Sequence, residues 1–353
     1  MGGLRTVGVE EELMLFTAGS DRVAPAGETL AEQPDVEHEF KLEQAEIASE
    51  PTQDLAGLAA DLRARRRELI EAARERGVTV TALGTSPAPA RSTLTPDDRY
   101  RRMHEQYGLV GREQLTCGTH VHVSVASRAE GVAAIDGARP WHAVLLALSA
   151  NSPFWDGADT GYASYRTVSW GRWPTAGPTM RFGGEATYDR VVAALIASGA
   201  ALDPGMIYFD ARLSARYSTV EFRVADVGQH VADSVLTAAL CRALVDTALH
   251  YAAADPPVAV LRSAAWRAAR YGMSGELFDV VDGRLRPAAD VVDHLLDSLA
   301  PALRAAGDAD VVHAEVQRVL RRGTGAELQR ADLARRGQPR DVVAAAAART
   351  ASS

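Results

Sequence analysis

Cysteine is scarce in this chain: Cys117 and Cys241 are the only two. Two cysteines make no disulfide framework, and neither sits in a CxxC or Cys/His zinc spacing. That usage suits a reducing cytoplasm. Lysine is scarcer still, with Lys41 alone among 38 basic residues. No apolar run is long and charge-free enough for a transmembrane helix, and Met1–Arg5 has no signal-peptide pattern. Glycine is plentiful at 29 residues, yet neither GxxxxGK[ST] nor GxGxxG occurs. A nucleotide would therefore be held by metals and arginines. A net charge of −8 argues against nucleic acid or an anionic membrane as the main partner.

What is present is an ordinary globular composition, 47% hydrophobic and 24% charged over 353 residues. With no internal repeat and no clean linker, one α+β domain spanning 1–353 is the expected organisation. The stretch Gly8-Val9-Glu10-Glu11-Glu12 stands out inside the apolar run Val7–Phe16. Alternation in a strand puts Glu10 and Glu12 on one face and Glu11 on the other. Two carboxylates on one face repel unless a cation lies between them. A solvated, charged edge strand is the competing reading.

Along the chain, Val36–Glu50 reads as a strand pair or one bent strand, with Gln44, Glu46 and Ala48 alternating against Ala45 and Ile47. Asp54–Arg76 is an amphipathic helix with a Leu55/Leu58/Leu62/Leu69 stripe, and its Arg63, Arg65, Arg66 and Arg67 read as a solvated face. Val78–Leu83 is a buried strand and Pro96–Leu109 a helix. Gln114–Ala126 is a strand whose His120, His122 and Ser124 share a face. Arg128–Ser149 is helical with a break at Gly137–Pro140. Asn151–Pro178 is a long loop rich in Gly, Trp, Tyr and Arg, and Tyr188–Ser198 is a helix. Met206–Leu213 and Ser218–Asp226 form a hairpin in which Thr219, Glu221, Arg223 and Ala225 share a face. From Ala232 the chain reads as helices at about 232–254, 258–271, 287–306, 309–322 and 324–349. This helical third packs behind the sheet or forms a homo-oligomer contact.

The strands thus carry Glu10, Glu12, Glu39, Gln44, Glu46, His120, His122, Glu221 and Arg223. An oxygen-rich set with one or two imidazoles suits Mg²⁺ or Mn²⁺ better than zinc. Glu39 and Glu46 are seven residues apart, so they share a site only through a bulge or from separate segments. The same set serves a phosphoryl-transferring enzyme or a metal-dependent hydrolase.

The ordered pieces resemble the carboxylate–amine ligases of the type-2 glutamate–cysteine ligase family. Those pieces are Gly8–Glu12, Glu39 with Gln44-Ala45-Glu46, Cys117–Val123, Tyr165-Arg166, Arg172–Gly177, Thr219–Asp226 and Gly323-Thr324-Gly325-Ala326. The resemblance implies a glutamine-synthetase-like fold: a curved, mainly antiparallel sheet with a concave active-site face. It implies an ATP-dependent ligase that joins a carboxylate, typically glutamate, to an amine such as that of cysteine, using Mg²⁺. By position it implies Glu10, Glu12, Glu39, Glu46, His120 and Glu221 as metal ligands, with Glu46 and Arg223 in the catalytic role. Arg223, Arg166, Arg172 and Arg216 would contact phosphates or substrate. The hairpin Asp210–Ser218 departs from the Arg-Pro that relatives tend to carry there, which bears on substrate choice. A catalytically inactive relative that binds ATP or an amino acid is the remaining alternative.

Overall fold

The computed structural model describes residues 3–33, 36–250 and 255–352. A seven-stranded antiparallel sheet is its centre. We label its strands β1 (Val7–Thr17), β2 (Val36–Glu37), β3 (Gln44–Ala48), β4 (Val78–Thr81), β5 (Gly118–Ser124), β6 (Ala211–Leu213) and β7 (Thr219–Asp226). Their order is β2-β3-β1-β5-β7-β6, with β4 paired to the far end of β1. Val36–Glu50 is therefore a pair of strands joined by a turn, not one bent strand.

The register sets the site. Glu12 faces Glu46 across β1 and β3. Glu10 faces His120 across β1 and β5. His122 faces Glu221, and Glu221 faces Arg212. Between Thr119 and Val121 the β5–β7 register slips, so Val121 lies opposite Phe222 but Thr119 opposite Ala225. This bulge adds one residue to β7. It turns Ala225 away from the face that carries Glu221 and Arg223, against simple alternation, and returns Asp226 to it.

Helices cover the opposite face. Leu55–Glu75 is capped by Asp54, whose carboxylate accepts from Ala56 and Gly57 N–H, and buries Leu55, Leu58, Leu62 and Leu69. Each such leucine contributes about 1.5–3 kcal/mol on burial. Arg66 is buried with that stripe, so the arginine run is not wholly solvated. Val231–His250 packs across β1 and β5; the expected extension to 254 lies outside the described residues. The helical third is also interrupted. Glu276–Asp279 and Arg284–Pro287 form a β-ribbon around Gly283. The expected helix 324–349 is two, Gly325–Arg336 and Pro339–Ser352, because Gly337 takes φ 74° and Pro339 follows. The hairpin strand expected from Met206 begins only at Ala211, after a 3₁₀ turn at Pro204–Met206. No helix among the described residues is long and apolar enough to cross a membrane.

Candidate active site

Glu11 points into the helical face. Arg66 Nε and Nη2 hold its carboxylate at 2.7 and 2.8 Å, and Ser234 Oγ donates to it at 2.5 Å. On the other face of β1, among the described residues, no arginine or hydroxyl pairs with Glu10 or Glu12. There Glu12, Glu39 and Glu46 bring carboxylate oxygens within 4.8 Å of one another. Glu10, Glu46 and His120 form a second such group, and Glu10, His122 and Glu221 a third. Glu39 reaches the cluster from the segment before the Leu42-Glu43 turn, which is how residues seven apart meet.

Glu10 Oε2 lies 3.4 Å from His120 Nδ1, and Glu10 Oε1 lies 3.1 Å from His122 Nε2. His120 Nε2 is 3.8 Å from Glu12 Oε1. Both Nε2 atoms are buried and, among the described residues, lack a hydrogen-bond partner, the His122–Glu10 approach being misaligned for one. Buried nitrogens without partners beside crowded carboxylates fit a cation as the missing partner. The electrostatics agree. Burial, then Glu39, pushes the Glu12 carboxyl up to about 7. Burial, then Glu39 and Glu10, pushes Glu46 well above the usual range. Burial and Arg223 hold His120 down at about 4, so its imidazole is neutral at pH 7, as a metal ligand must be. Burial alone would raise Glu10, but contacts with His120 and His122 pull it below the usual range. A donor set rich in carboxylates, with two imidazoles, suits Mg²⁺ or Mn²⁺ better than zinc.

Arginines border the cluster. Arg223 Nη1 donates to Glu221 Oε1 and lies 3.4 Å from His120 Nδ1. Its guanidinium also rests 5.8 Å from the rings of Trp170 and Tyr208. Arg166 lies over Gly118 and 5.8 Å from Trp170. Arg212 holds Glu221 with a two-pronged contact of 2.7 and 2.9 Å. Sequence reasoning passed over Arg212 and left His122 outside the expected ligand set, although alternation already set His122 on the face of His120; the register then places both opposite Glu221. Arg172 instead pairs with Glu113 and with Ser169. Arg216 is exposed, 3.9 Å from Glu37. Among the described residues, neither forms an ion pair with the carboxylate cluster.

The fold has solved counterparts. One is a glutamate–cysteine ligase from Francisella tularensis in complex with AMP (TM-score 0.70, 13% identity, covering 99% of this chain and 89% of that one). Another is a bifunctional glutathione synthetase from Pasteurella multocida (TM-score 0.70, 15% identity, covering 98% of this chain and 52% of that one). The family match places the chain in the class of ATP-dependent acid–amine ligases, which form C–N bonds. Within it, the chain belongs to glutamate–cysteine ligase family 2, which it matches over residues 6–346. A Frankia alni protein whose name provisionally reads glutamate–cysteine ligase 2-2 is 50% identical, covering 97% of this chain and 96% of its own length. A similarly named Streptomyces coelicolor protein is 49% identical, covering 98% and 99%.

Proposed function

We propose that this protein couples ATP cleavage to amide formation between an amino-acid carboxylate, glutamate first among candidates, and a small amine, through an acyl phosphate. The observation behind this reading is the convergence of Glu10, Glu12, Glu39, Glu46, His120, His122 and Glu221 beside Arg223 on one sheet face. A carboxylate is a poor acyl donor. Attack of its oxygen on the γ-phosphorus breaks the bond to ADP. The amine then attacks the acyl carbon, phosphate leaves and one proton is released. The protein's task is positioning and charge neutralisation.

In this reading Glu12, Glu39 and Glu46 would hold one cation, Glu10, Glu46 and His120 a second, and Glu10, His122 and Glu221 a third. Bound Mg²⁺ would neutralise the phosphate oxygens during transfer. Arg223 faces the transferring phosphoryl group, and Arg166 a phosphate or the donor carboxylate. Arg212 keeps Glu221 in register. The reaction suits the cytoplasm, where ATP and amino acids are available.

A panel of carboxylates against amines, scored by ADP release and by the mass of the amide, tests the reading. We expect ADP release that needs acid, amine and Mg²⁺ together. E10Q should lower it at least about 100-fold. Unchanged Mg·ATP binding and product formation in E10Q, or turnover without ATP as in a hydrolase, would sink it.

A further inference from the structure

The motif Gly323-Thr324-Gly325-Ala326 has no place in the chemistry above, and neither does Asp226. The structure connects both to Arg166. Asp226 is fully buried in the chain's interior. Its Oδ2 accepts from Ser152 Oγ at 2.7 Å and Asn151 N at 2.8 Å, and its Oδ1 accepts from Ser164 Oγ at 2.8 Å. Its cation is Arg166, with Nη1 4.0 Å from Oδ1. Ser152 Oγ also accepts from Arg166 N at 2.9 Å.

Arg166 is 2% exposed, yet its donors are poorly used. Among the described residues, Nη1 and Nη2 hydrogen-bond only Arg223 O, at 3.4 and 3.3 Å, and the buried Nε has no hydrogen-bond partner. A Cβ on Gly118 would stand 2.2 Å from Arg166 Nη2, so glycine there is what admits the guanidinium. The bulge in β7 is what sets Asp226 on this face. A guanidinium held in place by a carboxylate that does not occupy its hydrogens keeps them for a ligand oxygen.

The carboxylate is itself held from the far side. Asn151 Nδ2 donates to Ala82 O and Val227 O. Its Oδ1 accepts from Gln229 and from Gln329, both at 2.7 Å. Gln329 Nε2 also reaches Asn151 O at 2.8 Å. A Cβ on Gly325 would lie 2.0 Å from Asn151 Oδ1. That contact explains the glycine of the motif, and one turn later comes Gln329.

We infer that Asp226 is a positioning residue for Arg166, and that the Gly325–Gln329 segment fixes Asp226 through Asn151. The inference rests on the reading of Arg166 as a phosphate or carboxylate contact. In D226N the shape stays, the counter-charge goes and an amide hydrogen faces donors.

A double-mutant cycle with R166Q separates a role through Arg166 from a general packing role. We expect D226N to lower kcat/KM for the donor carboxylate about 10–100-fold in the natural background and under about 3-fold in R166Q. A second readout does not depend on turnover. The Arg166 Nε–H resonance, identified by its loss in R166Q, should shift or broaden in D226N, while that of Arg66 should stay in place. Q329M, remote from the ligands, should act the same way but more weakly, about 3–10-fold, and serves if D226N does not fold. Equal losses in both backgrounds, or an unmoved Arg166 resonance, overturn the inference. Absence of ATP-dependent ligation in the natural protein would overturn the proposed reaction and leave the resonance test intact.

Discussion

The two faces of β1 treat the same side chain in opposite ways. Glu11 is buried with an arginine and a serine on it. Glu12, one residue on, is 7% exposed among carboxylates, and its close donor is Gly118 N at 2.5 Å. One face satisfies its charge within the chain. The other leaves like charges together and histidine nitrogens without partners. The first is how a fold stabilises a buried ion, and the second is how a fold reserves one for a ligand.

The largest effect should come from breaking the satisfied face. R66M strands Glu11 without its cation and should cost about 3–5 kcal/mol of stability, read by urea unfolding. E11L/R66M together should recover most of that loss. Molecules of R66M that remain folded should keep their ligase rate. A loss of rate without a loss of stability would dissolve the contrast between the faces.

The unsatisfied face predicts the reverse pattern. E46Q removes one of the crowded carboxylates, so it should raise the melting temperature of the metal-free protein while lowering the ligase rate at least about 100-fold. The same crowding makes metal-free stability depend on pH. Glu12 and Glu46 have native pKa values above the 4.5 of the unfolded chain, Glu12 at about 7. The native state therefore binds more protons than the unfolded state between 4.5 and about 7. These two carboxylates make stability fall as pH rises, while His120 and His230, held down at about 4 by burial, oppose them below 6.5, so the fall should emerge from about 6.5 upward. Glu10 and Glu221 are shifted downward and act only below 4.5, so they leave the window alone. Mg²⁺ or Mn²⁺ should raise the melting temperature and flatten the slope, since a bound cation keeps the carboxylates ionised. A slope that Mg²⁺ leaves untouched would count against the cation sites.

Much of this contrast is legible in the chain itself. Alternation alone places Glu10 and Glu12 apart from Glu11, and His120 with His122. The arginine at 66 was legible too, since it falls four residues after Leu62 and three before Leu69, on the buried stripe. Charge type outweighed spacing in the reading of that helix. Gly337 followed by Pro339 is likewise a stop signal within a run of good helix formers. The bulge in β7 is different. Thr219 to Val224 alternate and only Ala225 and Asp226 fall out of phase, a mark too short to fix a bulge, so the slip that returns Asp226 to the site face depends on its pairing with β5. Glu39 reaches Glu46 through a tertiary turn, which periodicity cannot register.

Lys41 sharpens the comparison from the cationic side. It is 1% exposed, lies 4.6 Å from the ring of Phe40 and has no ion-pair partner within 4 Å among the described residues. Burial brings its ammonium down to about 8, against the opposing pull of Glu43. The native state then binds fewer protons than the unfolded chain between about 8 and 10.5. The burial penalty is full below 8, so the Lys41 contribution should rise with pH across that interval by about 3 kcal/mol, read as the difference from K41M because buried Cys117 and Cys241 pull stability the other way above 9 in both proteins. K41M should lose this rise and gain stability at neutral pH. Unlike the carboxylate face, the Lys41 effect should be indifferent to Mg²⁺. If Mg²⁺ shifted it, Lys41 would belong to the site and not to the packing beside it.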